Sequence, residues 1–250
     1  MQEKLQETDK RKIKSLALIF TTFYILTLLF QSQILPSLSI NINDLTLPAF
    51  QTTQTLIVFP LILFISYFFF IRKGFLNWQD LGFNKGKNGL LLTIILGLLG
   101  GLAIGFYNYF AMDYFLLQKQ IAANFIEKCL FAPIWEEFFN RVLFLSIIEF
   151  TIIGLANKYY FENPKYKNKL SEKSKKKELL KYYFIILFIG AWWFVWFHGI
   201  WISSNILFGG MIMGAVYLRS RSIIAPIIVH SMSNFVTGGF LFLIIHNLGI

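Results

Sequence analysis

Long apolar runs, each close to the thickness of a bilayer, constrain this chain more than any other feature. They lie at Ser15–Leu35, Thr53–Ile71, Gly89–Phe110, Cys129–Ala156, Tyr182–Ser204, Asn205–Leu218 and Ser222–Leu248, with Lys and Arg gathered mostly between them. A helix needs about 20 apolar residues to cross the hydrocarbon core, so most of these runs qualify as spans and Asn205–Leu218 reads as a short one. Only 14% of the 250 residues are charged and 56% are hydrophobic, whereas soluble domains carry about 25% charged residues. That leaves little room for a water-soluble globule and rules out a disordered chain. The expected fold class is all-α: a polytopic membrane helix bundle of about seven transmembrane helices.

The formal net charge of +10 is distributed unevenly. Lys and Arg crowd the tail before Ser15, the connection Arg72–Asn88, the run Lys158–Lys181 and the pair Arg219 and Arg221, while Pro36–Gln51 has none. Because basic residues accumulate in cytoplasmic loops, this alternation predicts a multi-pass integral membrane protein with its N-terminus in the cytoplasm, in the plasma membrane if the source is bacterial. No small-x-small cleavage pattern precedes Pro36, so the first run reads as an uncleaved helix. The organisation expected is a basic cytoplasmic tail over 1–14, N-terminal transmembrane helices over 15–127 and a membrane core over 128–250, with a basic cytoplasmic loop at 157–181. That loop reads as solvated and attracted to anionic lipid headgroups, which makes membrane lipid a partner and nucleic acid none. Cys129 is the single cysteine, so no intrachain disulfide forms.

Ionisable residues inside the spans mark candidate function, since a charge at the bilayer centre costs about 2.5–3.5 kcal/mol even on lenient scales. All four aspartates fall outside the apolar runs, leaving Glu136, Glu137, Arg141, Glu149, His198, His230 and His246. Glu137 and Arg141 are four apart, so a helix makes them neighbours with the acid on the favoured N-terminal side. Glu136 points about 100° away and has no basic partner on its own helix, which leaves it for chemistry. His230 and Asn234 are likewise four apart and project from one face. Pro133 kinks the helix before the acidic pair or starts a new one. Gly209, Gly210 and Gly214 predict close helix approach. Glu149 and His246 have no companion residue and read as interfacial.

The order Glu136-Glu137-x-x-x-Arg141, Phe194-x-x-x-His198, His230-x-x-x-Asn234 on successive late helices resembles the three signature motifs of the CAAX prenyl protease and bacteriocin-processing (CPBP, or Abi) intramembrane endopeptidases. The resemblance covers roughly Cys129–His246. It implies an active site buried among the late helices, in which Glu136 and His198 activate a water while His230 and Asn234 bind the oxyanion. Glu137, Arg141 and Phe194 would support the site. It implies a protein or peptide substrate, prenylated or membrane-bound, cleaved in CAAX-type processing, in peptide or bacteriocin maturation, or in self-immunity.

No cofactor is favoured. Zinc or another divalent metal stays open, with Glu136, His198 and His230 as the ligand set, but no H-E-x-x-H clamp is present. A rhomboid-like serine mechanism lacks its G-x-S-G loop, and an aspartyl mechanism lacks intramembrane aspartates. Two other classes stand beside the protease: a noncatalytic membrane immunity or scaffold protein of the same fold, and a transporter or proton relay.

Overall fold

The computed structural model describes residues 2–33, 40–42, 45–47, 52–112, 125–163, 171–197 and 204–237. The helices are α1 (Gln2–Gln33), α2 (Gln54–Ile71), α3 (Leu90–Met112), α4 (Ile126–Phe161), α5 (Glu172–Phe197), α6 (Ser204–Ser220) and α7 (Ile224–Thr237). Between α1 and α2, β1 (Ile40–Ile42) pairs antiparallel with β2 (Leu45–Leu47), Ile40 opposite Leu47. The chain is an all-α, multi-pass membrane bundle in which α1 to α5 are long and apolar enough to cross a bilayer, while α6 and α7 are shorter apolar helices over their described lengths.

Two helices run past the apolar stretches that announced them. The basic tail is the first part of α1, and Lys12 reaches Asp80 in the α2–α3 connection at 2.7 Å. Helix α5 starts inside the Lys-rich run, where Lys175 pairs with Glu172 at 2.8 Å and Lys181 with Glu178 at 2.7 Å. Hydropathy marks where a helix meets hydrocarbon, whereas good helix formers and i,i+3 pairs carry it further into water.

Helix α4 is the axis of the bundle. Half of its most apolar window is enclosed, against a third or less for the other long helices. Trp135, Phe138, Phe139, Val142, Leu143 and Leu145 are all at most 1% exposed. Phe20 of α1 stacks on Phe139 with ring centres 4.6 Å apart, Phe59 of α2 meets Phe138 edge-on at 5.1 Å, and Trp193 of α5 stacks on Phe144 at 4.6 Å. Pro133 neither ends nor restarts the helix. The wide i→i+5 turns of Ile126–Phe131 precede it, and Pro133 falls in the first turn of the α-helical stretch Ala132–Glu137, where a missing N–H is tolerated.

Helix α7 is held by α3 through small residues. A Cβ built on Gly97 would lie 2.8 Å from Ile228 Cβ, on Gly101 2.5 Å from Met232 Cβ, and on Gly105 2.6 Å from Val236 Cβ. Both sets advance by four in the same direction, so α3 and α7 run parallel with their backbones nearly touching, the close approach that small-xxx-small spacing permits. Gly210 and Gly214 do the same for α6 against α5, meeting Ala191 Cα at 3.1 Å and Leu187 Cδ2 at 3.0 Å, whereas Gly209 makes ordinary contact.

The α6–α7 turn is sewn to the α2–α3 connection. Asn84 Nδ2 donates to the Arg221 carbonyl at 2.5 Å, Ser222 Oγ to the Asn84 carbonyl at 2.7 Å, and the Ile223 amide to the Gly82 carbonyl at 3.0 Å. Arg221 adopts φ 59°, and its guanidinium forms a two-pronged pair with Glu149 of α4. Glu149 therefore has a companion after all: it is 5% exposed and bound to a cation 72 residues away, a partner no local spacing reveals. The hydrogen-bonded Glu149 carboxylate pushes the Arg221 guanidinium above its ordinary range.

Candidate active site

The three motif helices α4, α5 and α7 converge around Glu137. Its Oε2 accepts from Arg141 Nε at 3.0 Å, the i,i+4 contact expected within α4. Its Oε1 lies 2.9 Å from His230 Nδ1, contributed by α7. Both Glu137 and Arg141 are 0% exposed. A carboxylate beside a guanidinium only accepts, so the proton of this contact is assigned to Nδ1, and Nε2 becomes the edge His230 offers elsewhere. That edge is 4.0 Å from Glu136 Oε2.

Phe194 of α5 completes the ring of contacts. The Arg141 guanidinium lies 4.7 Å from its ring centre, and its edge meets His230 at 6.0 Å with the planes 85° apart. The aromatic face takes up positive charge that the carboxylate does not reach, which matters because Arg141 Nη1 and Nη2 are buried without a hydrogen-bond partner among the described residues. Arg141, Glu137, His230 and Phe194 thus fix one another, and Glu136 sits beside them on the same turn as Glu137, 6% exposed.

Asn234 is one turn beyond His230 on α7, where its Nδ2 donates to the Lys128 carbonyl at 2.7 Å and ties α7 to the start of α4. His198 and His246 lie outside the described residues. Asn140 joins the cluster without having been singled out: its Nδ2 donates to the Glu136 carbonyl at 2.7 Å, and its buried Oδ1 has no hydrogen-bond partner among the described residues. Its position four residues after Glu136 was the available signal. Thr55 of α2 adds a contact to the Phe131 carbonyl at 3.0 Å, a backbone acceptor sequence cannot mark.

Among the described residues no three His, Cys, Asp or Glu side chains converge as a metal site. Both Glu137 oxygens are occupied, one by Arg141 and one by His230. The third member of the Glu136, His198, His230 set is outside the described residues.

Residues 118–236 match the family model described as type II CAAX prenyl endopeptidase Rce1-like. No curated protein and no solved structure matches the chain. The matched segment spans α4, α5, α6 and nearly all of α7, including Glu136, Glu137, Arg141, Phe194, His198, His230 and Asn234. Motif order and the buried acid–imidazole contacts agree with this match, which likens residues 118–236 to the Rce1-like CAAX protease family.

Proposed function

We propose that the chain is an intramembrane endopeptidase that hydrolyses a peptide bond in a membrane-associated protein or peptide, with a prenylated C-terminal tail as the first substrate class to test. The observation that carries this reading is the division of labour between two adjacent buried carboxylates. Glu137 is locked between Arg141 and His230, while Glu136 faces the imidazole edge across 4.0 Å. A water oxygen about 2.8 Å from each group would bridge that gap, donating one proton to the Glu136 carboxylate and the other to the unprotonated Nε2.

In the proposed reaction Glu136, aided by His198, takes a proton from water as the water oxygen bonds to the scissile carbonyl carbon. The second N–H of Asn234 Nδ2, and a His230 ring protonated on both nitrogens, then donate to the oxyanion. The proton held by Glu136 passes to the departing amine nitrogen as the C–N bond breaks. Glu137, Arg141 and Phe194 hold His230 in place. The proposal keeps 128–250 as the catalytic core, seven spans and a cytoplasmic N-terminus. The parallel course of α3 and α7 supports that topology, because the third and seventh of seven spans cross in the same sense.

The test is cleavage of a farnesylated C-terminal peptide by the full chain in proteoliposomes. E136Q is expected to lower turnover at least about 1,000-fold, equivalent to about 4 kcal/mol, without changing Tm. C129A is expected to leave turnover intact, and activity is expected to persist after exhaustive chelation. An active E136Q, or a C129A that is dead yet folded, sinks the assignment.

A further inference from the structure

A cavity of about 720 Å³ lies between α1 and α4 at the end of the bundle away from Glu136. Lys10 of α1, Lys158 of α4 and Arg221 of the α6–α7 turn line it, together with the apolar side chains of Ile13, Phe150 and Ile153. We propose that this cavity binds an anionic glycerophospholipid, its phosphate among the three cations and an acyl chain along the apolar wall.

Charge complementarity favours an anion. The Glu149 carboxylate on the cavity lining is matched by Arg221 in two-pronged geometry, so Lys10 and Lys158 leave an excess of positive charge. The Arg221 guanidinium is fixed at the rim. Its backbone holds φ 59°, a conformation unfavourable for a residue with a Cβ, and the Asn84 contact to its carbonyl secures it. Its side chain remains 41% exposed.

The apolar wall selects a lipid over a free anion. Leu155, also lining the cavity, is 51% exposed, and a Cβ on Gly154 would meet nothing within 4 Å, so this face of α4 is open to hydrocarbon. Basic crevices between spans at the headgroup level suit an anionic lipid. The carboxylate of a substrate tail is a poorer occupant. Glu149 lies thirteen residues along α4 from Glu136, about 20 Å at helical rise, whereas a four-residue tail extends at most about 14 Å.

The test is thermal unfolding of the purified full chain in neutral detergent with dihexanoyl phosphatidylglycerol, dihexanoyl phosphatidylcholine or glycerol 1-phosphate added. Phosphatidylglycerol is expected to raise Tm by about 5 °C near saturation, with no comparable rise from the other two. K10Q/K158Q is expected to lose the shift. K176Q/K177Q, which removes two exposed lysines on α5, is expected to keep it. Equal protection by phosphatidylcholine, protection by glycerol 1-phosphate alone, a shift that survives in K10Q/K158Q, or one lost in K176Q/K177Q overturns the proposal. Native mass spectrometry of the wild-type chain supplies a second readout: retained phosphatidylglycerol supports it, and retention of both lipids alike overturns it.

Discussion

Glu136 and Glu137 are adjacent in sequence, yet their surroundings give them opposite sensitivities to neutralisation. Replacing Glu137 with Gln removes the charge that balances Arg141 in a site with 0% exposure. Breaking a buried pair in this way costs about 3–5 kcal/mol, because the remaining ion stays desolvated. E137Q is therefore expected to lower Tm by about 10 °C, taking about 2–4 °C per kcal/mol for a chain of this size, while E136Q stays near the wild type. Thermal scans of both variants in one detergent decide this, and the reverse ranking would contradict the roles drawn from the contacts. The Glu137–Arg141 pair was legible in sequence because helical spacing fixes it. The His230 contact to Glu137 was not, since 93 residues separate the partners and only packing of α7 on α4 brings them together.

At the scale of elements, α7 owes its position to α3, a helix that carries no catalytic motif. Adding a methyl at Gly101 puts a Cβ 2.7 Å from the Val229 backbone carbonyl and 2.5 Å from Met232 Cβ, so the helices must separate. Overpacking of this kind costs about 1–3 kcal/mol, and here it displaces the helix bearing His230. G101A is expected to lose both stability and turnover. G154A, where the added Cβ meets nothing, is expected to be neutral or up to about 1 kcal/mol more stable, from lower backbone entropy in the unfolded chain. Parallel measurement of Tm and cleavage rate separates the two, and a G101A as active as wild type would show that α7 does not depend on this contact. Glycines on α5-facing α6 were read correctly as close-approach residues at Gly210 and Gly214. The Gly97, Gly101, Gly105 series went unread because it lies outside the motif region and its partner helix is far along the chain.

For the molecule as a whole, the distribution of Lys and Arg predicts which end of the bundle faces the cytoplasm. Lys10, Lys158 and Arg221 line the 720 Å³ cavity, and Lys12 and Arg221 line a second of about 520 Å³, so cations on α1, α4 and the α6–α7 turn share one end, as the positive-inside rule requires of a single side. In a C129A background, K176C at the basic start of α5 is expected to react with a membrane-impermeant maleimide in inverted vesicles and to be protected in intact cells. Labelling in intact cells would reverse the topology. The bundle class and the existence of most spans followed from run length alone, because hydrocarbon thickness sets a strict requirement. Helix ends were misjudged at the tail before Ser15 and at the Lys-rich run, because helices α1 and α5 continue into water where hydropathy carries no signal.

The sequence by itself determined the membrane class, the motif order and the pairing of Glu137 with Arg141, each of which depends on short-range spacing or on apolar length. Only the tertiary structure decided that His230 is oriented by Glu137, that Phe194 lies between Arg141 and His230, and that Glu149 is matched by Arg221. Those contacts join helices far apart along the chain, and they form because small residues let α7 pack against α3 while α4 is enclosed by its neighbours. Spacing along one helix fixes which side chains share a face, but which faces meet is set by the packing of the whole bundle.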